Sequence, residues 1–230
     1  MFKKSKKGKS MKKLAIICAI LGTFCVNQTF ALNLKGNVVQ NENPYKNCTQ
    51  DEVVIEALET LKTTSGEFSR KAILGDNLTS KPIKIEFKDL STINPNYAAF
   101  DALGWKQRGK LYIYINKKHK DAPKEALAAL LAHEALHQDE LNSLNEETYA
   151  WTLEAAVWTQ LSDENPQLSE ISHPLVEREN VIKKLFIKGN YTNNYIRKFV
   201  ITNKGYQNLP ERSPGFESVG TNKSIPIENL

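Results

Sequence analysis

Leu130-Leu-Ala-His133-Glu134-Ala-Leu-His137-Gln-Asp139 is the stretch on which the reading of this chain turns. Residues 122–139 around it are rich in alanine and leucine, which predicts a helix with Asp121 as N-cap and Pro123 in its first turn. Side chains four apart on a helix share a face, so His133 and His137 can offer two imidazole nitrogens to one ion. Zinc accepts neutral imidazole well and needs no redox chemistry to support hydrolysis. Glu134 follows the first histidine and is angled aside. It can reach water held at the ion and take its proton without binding the ion itself. Two incidental histidines on an exposed helix would show the same spacing. The segment leading into the pair, Ala126–Ala132, is uncharged, however, as a buried site requires.

Two histidines leave a catalytic zinc one protein ligand short. The candidates lie in Ser143-Leu-Asn-Glu146-Glu147-Thr-Tyr-Ala150-Trp151-Thr-Leu-Glu154, on a helix predicted over residues 145–161. A loop near 140–144 lets this helix return and face the first. Ser143 and Glu146 have capping-box spacing, which turns Glu146 back toward the helix start. Glu147 is then free to point at the metal, with Glu146 and Glu154 as the alternatives. Glu154 lies seven residues on, on the same face, and also suits a position behind a histidine. A solvated acidic face is the commoner fate of such glutamates.

His133-Glu134-Ala-Leu-His137 resembles the HExxH motif of zincin metallopeptidases. A downstream helical glutamate resembles the gluzincin branch, to which thermolysin-like enzymes belong; Glu147 with the small Ala150 three positions later fits its pattern. The resemblance covers roughly residues 125–158. It implies His133 and His137 as zinc ligands, Glu147 as the third ligand and Glu134 as general base. It also implies an α+β, zincin-like domain, with a small mixed or antiparallel sheet packed on the motif helix and a Glu-bearing helix after it. In that family an edge strand before the motif helix pairs with the substrate backbone, a place Leu111–Asn116 would take. Nine residues separate His137 from Glu147, fewer than in thermolysin-like enzymes and nearer to minimal gluzincins. Trp151 stands where thermolysin-like enzymes carry an acidic residue, and Asp139 where the residue is usually apolar. The implied activity is zinc-dependent hydrolysis of peptide bonds in a peptide or protein substrate. A catalytically inactive binding module of the same fold, and a zinc hydrolase of non-peptide amides, are the alternatives.

Elsewhere, the apolar spacing of residues 51–63 predicts a helix. Lys81–Lys88 alternates, with Ile83, Ile85 and Phe87 on one face, and reads as a strand; Leu111–Asn116 reads as a second. Helical patterns cover roughly 174–188 and 191–201. His173, Tyr149, Tyr191 and Tyr195 are the candidates to stabilise a developing oxyanion. His119, inside Lys117-Lys-His-Lys120, reads as a solvated loop residue, and Trp151 and Trp158 as packing between helices. The domain is expected over 50–201, preceded by a polar linker at 32–49 and followed by a flexible tail at 202–230.

The chain carries 31 Lys+Arg against 26 Asp+Glu, a net charge of +5 that invites a nucleic-acid partner. Seven of those lysines fall in residues 1–13, ahead of the apolar run Leu14–Val26. This is the build of a secretory signal peptide over residues 1–31, with cleavage near Ala31. Thirteen apolar residues are fewer than the roughly 20 that span a bilayer, so no stable membrane span is expected after cleavage. The protein is expected to be secreted or periplasmic, an anchor formed by an uncleaved signal being the alternative. The remaining chain has 24 basic and 26 acidic residues, and the support for a nucleic-acid partner disappears. Cys48 is then the single cysteine, so no internal disulfide forms. A free structural thiol is its default role, and a thiolate capping the zinc in a latent form is the alternative.

Overall fold

The structure is a computed structural model and describes residues 43–76, 79–137 and 142–213. The described residues belong to one unit, Glu42–Leu230. The signal-peptide reading of 1–31, Asp139 and the end of the tail from 214 lie outside them.

Among the described residues the domain is α+β, with six α-helices and a three-stranded mixed sheet. The elements are α1 (Glu52–Thr60), α2 (Glu67–Leu74), β1 (Lys84–Lys88), β2 (Ala102–Gln107), β3 (Lys110–Asn116), α3 (Lys124–Glu134), α4 (Leu144–Glu164), α5 (Pro174–Lys188) and α6 (Asn194–Thr202). No described helix is long and apolar enough to cross a membrane.

The strand order is β1-β3-β2, with β1 parallel and β2 antiparallel to β3. The central position of β3 corrects the expectation that Leu111–Asn116 is an edge strand. Its β-branched run Ile113, Ile115 is buried, as a strand paired on both sides demands. The edge toward the site belongs instead to β2, which has no β-branched residue and gives no strand signal in the sequence. It forms because Gln107 pairs with Lys110 across a two-residue loop. Arg108 and Gly109 there have φ of 51° and 72°, the left-handed pair that matches hairpin twist.

Helix α3 is the centre of the domain. Every residue from Ala126 to Glu134 is buried, and α1, α2, α4, α5 and β2 all pack on it. A helix that is apolar all round belongs inside, and Ala128, Ala129 and Ala132 keep its girth small enough to be surrounded. It starts at Lys124, after an extended Pro123, and not at the predicted Asp121 cap, whose side chain is in solvent. It also ends earlier than predicted. After Glu134 the backbone tightens, with Leu136 N–H donating to His133 O and His137 N–H to Glu134 O. His137 therefore sits just past the helix, at the mouth of the cleft.

Two flanking segments belong to the core or the site. Residues 43–49, expected as linker, bury Tyr45 and Cys48 in the core. Residues 203–213, expected as flexible tail, form a strap across the start of α4. Leu144 and Asn145 N–H groups, unpaired at a helix N-terminus, donate to the Pro210 and Glu211 carbonyls.

Candidate metal centre

His133 and His137 project from the end of α3, and Glu147 comes from the first turns of α4. One nitrogen or oxygen of each lies within 4.8 Å of the others. His133 Nε2 is 3.7 Å from Glu147 Oε2, and His137 Nε2 is 3.8 Å from Glu147 Oε1. The two imidazole rings meet edge to face with centroids 5.0 Å apart.

The Nδ1 atoms settle which nitrogens are free. His133 Nδ1 lies 2.9 Å from Glu154 Oε2, and His137 Nδ1 lies 2.8 Å from Glu146 Oε1. A carboxylate only accepts, so each Nδ1 carries a proton, and Nε2 is the nitrogen left for an ion when the ring is neutral. Both Nε2 atoms face Glu147. Two neutral imidazoles and one carboxylate, converging with their outer nitrogens held, are a donor set that fits a divalent ion. The buried triad could hold a metal ion, and Glu146 and Glu154, the alternative third ligands, stand behind the histidines.

Glu146 departs from the capping box. Ser143 Oγ does accept from Glu146 N–H at 3.2 Å, but the Glu146 side chain turns to His137 and to Ser213 Oγ, 3.0 Å away. The buried His137 Nδ1–H needs that acceptor more than the Ser143 N–H, which already donates to Asn142 Oδ1.

Glu147 is held by Asn142, by Trp151 Nε1 at 3.2 Å and by Tyr206. Burial works to raise its pKa, but His137 and His133 outweigh burial and hold it below the usual range. Burial alone would lower His137; the carboxylates of Glu147, Glu146 and Glu134 instead push it up to about 10. Glu134 lines the cleft, and burial raises its pKa above that of an ordinary glutamate.

Behind His133 lies a buried charge network. Arg178 forks onto Glu154 at 2.5 and 3.0 Å, touches Asp101 Oδ2 at 3.2 Å and Glu179 Oε1 at 3.0 Å, and stacks 4.6 Å over Trp151. Burial works against each charge here. Arg178 overcomes it for Glu154 and the three acids overcome it for Arg178, while burial and the Glu154 charge drive Glu179 well upward. Asp101 Oδ1 also meets His119 Nε2 at 2.7 Å. His119 is wholly buried, which corrects its reading as a solvated residue.

The triad opens into a cleft of about 720 Å³. Tyr97, Phe100 and β2 form one wall, and Trp151, Tyr206 and Leu209 line the other. Trp151 is therefore part of the site as well as packing; Trp158 is fully buried and donates to Asn180. Gly104 of β2 lies so close to the chain at His137 that a Cβ there would be 2.8 Å from His137 Cβ. Glycine is required by that approach.

His173, Tyr149, Tyr191 and Tyr195 do not line this cleft. His173 caps α5 by accepting from Leu175 N–H, Tyr149 packs on the main core and Tyr191 is exposed. Two phenols do line it, Tyr97 and Tyr206; the Tyr206 hydroxyl accepts from Trp151 Nε1 at 3.2 Å. Its position in the Asn-203-to-Ser-213 strap, after a Gly and among turn residues, gave no sequence signal. Burial, followed by the Glu147 charge, raises its pKa, so it keeps its proton. Cys48 donates to Ile73 O at 3.4 Å inside the core, and burial raises its thiol to about 11. It is a structural thiol remote from the cleft.

No protein family, curated protein or solved structure matches the chain.

Proposed function

We propose that this chain is an exported zinc-dependent peptidase with a zincin-like fold and the gluzincin ligand arrangement. The single observation that carries the reading is the convergence of His133, His137 and Glu147 with both Nδ1 atoms held by carboxylates. Export rests on the lysine-rich and apolar pattern of residues 1–31.

A zinc ion held by His133, His137 and Glu147 would supply a Lewis acid to polarise a carbonyl and to acidify water. The chain's own groups do the rest. Glu134 takes the proton from the attacking water, and its raised pKa brings it nearer to the pH at which such transfer is efficient. Tyr206 lines the cleft and gives its hydroxyl proton to Glu147, which holds that carboxylate toward the metal site. The outer edge of β2 has no neighbouring strand among the described residues, and it offers backbone groups for an extended peptide to pair with. Arg178 is excluded as a substrate anchor, because Glu154, Asp101 and Glu179 already occupy its donors.

The test is hydrolysis of a mixed peptide library by the zinc-loaded chain and by Glu134→Gln. The variant is expected to keep its zinc and lose roughly 10²–10⁴-fold in rate. Equal hydrolysis by both would contradict the proposal.

A further inference from the structure

The strap is tied to the metal centre through one hydroxyl. Ser213 is buried, with 1% of its surface exposed, although it lies 70 residues beyond Ser143, whose Oγ it meets at 3.2 Å. Its Oγ is also 3.0 Å from Glu146 Oε2. The proton inventory orders the chain of contacts. Glu146 is a carboxylate that accepts the His137 Nδ1 proton on Oε1, so Ser213 gives its single proton to Oε2. Ser143 Oγ already accepts from Glu146 N–H, and its own proton is free to face Ser213. Glu146 is itself buried, and these contacts fix the plane of its carboxylate and hence the rotation of the His137 ring.

Resting on the metal-centre reading, we propose that Ser213 is a positioning residue for the metal ligand His137, acting through Glu146, and that the C-terminal strap is thereby a part of the metal site. The strap contributes twice. Tyr206 and Leu209 wall the cleft, while Ser213 locks the carboxylate behind the outer histidine. Its backbone is anchored independently by the Leu144 and Asn145 N–H groups, and by the exposed Arg197–Glu211 ion pair. Loss of the Ser213 hydroxyl leaves the strap in place but strips one partner from a buried carboxylate. A buried carboxylate short of a partner is free to turn, and that loosens His137.

The experiment is zinc affinity of the full chain by competition with a chromophoric chelator. Ser213→Ala is expected to weaken zinc about tenfold, the low end for partners behind a ligand, and Ser213→Thr to restore it. Glu146→Gln is expected to weaken zinc by roughly 10–100-fold. In that background Ser213→Ala is expected to add less than about twofold, since both act through one contact. Glu211→Gln, which removes the surface anchor only, is expected to leave affinity within about twofold. If Ser213→Ala binds zinc as tightly as the parent, or its effect is undiminished in Glu146→Gln, the positioning role is overturned. Absence of zinc binding by the parent chain instead overturns the metal reading itself, and the positioning role with it.

Discussion

His133 and His137 lie four residues apart and face the same point, yet different parts of the molecule hold them. Behind His133 stand the fully buried Glu154 of α4 and Arg178 of α5, which also lines the cleft, with Asp101 and Glu179 closing the network. Behind His137 stand Glu146, Ser143 and Ser213, where the strap crosses the start of α4. The inner histidine is fixed by a balance of buried charges. The outer one is fixed by a short line of buried hydrogen bonds through Glu146, Ser213 and Ser143. The difference predicts that damage to the inner side appears as lost stability, and damage to the outer side as lost metal affinity.

The largest expected effect is on the inner side. Arg178→Leu leaves Glu154 buried without its cation, and removing one partner of a buried pair costs about 3–5 kcal/mol. Denaturant unfolding of the metal-free chain measures this; a loss below about 1 kcal/mol would remove the distinction between the two sides. On the outer side, Glu146→Gln is expected to lower metal-free stability by less, about 1.5–3 kcal/mol, the range for a hydrogen bond to a charged group. Its larger signature is the zinc affinity loss described above.

Gly104→Ala tests the close approach of β2 to His137. The added methyl meets His137 Cβ, which cannot swing away, so the strand must shift. A stability loss of about 1–3 kcal/mol is expected, as for overpacking in a core, together with weaker zinc binding.

A further effect concerns protons. In the metal-free chain the surrounding carboxylates overcome burial and hold His137 protonated up to about pH 10. A metal requires the neutral ring, so binding releases that proton. Zinc affinity should therefore rise about tenfold per pH unit from neutrality until the pH reaches the His137 pKa, and then level off. Calorimetry in buffers of different ionisation enthalpy counts the proton; a pH-independent affinity would show that the raised pKa is absent.

The sequence made the inner part of this design easier to read than the outer. A helix whose residues are apolar on every side announces its own burial, so α3 and the pair His133 and His137 were visible from Ala126–His137 alone. Glu154 was legible as a group behind a histidine because seven residues on a helix return to the same face. Glu146 was not, since Ser143 and Glu146 share a spacing with a local cap, and only the fold brings His137 within reach. Strand β2 carries Leu, Gly and Trp without alternation; its pairing is set by a hairpin turn and by the room Gly104 leaves. The strap was hidden for a related reason. Gly205, Pro210 and the asparagines around them suit an irregular segment whether it is packed or free. Only contacts 55 to 70 residues away along the chain bury Tyr206 and Ser213.

The most direct test of the central claim is the metal content of the purified chain after dialysis, compared with Glu147→Ala. One zinc per chain in the parent, and well under one in the variant, is the predicted result. A parent chain that retains no stoichiometric metal, or a variant that retains as much, would contradict the assignment of His133, His137 and Glu147 as a metal centre.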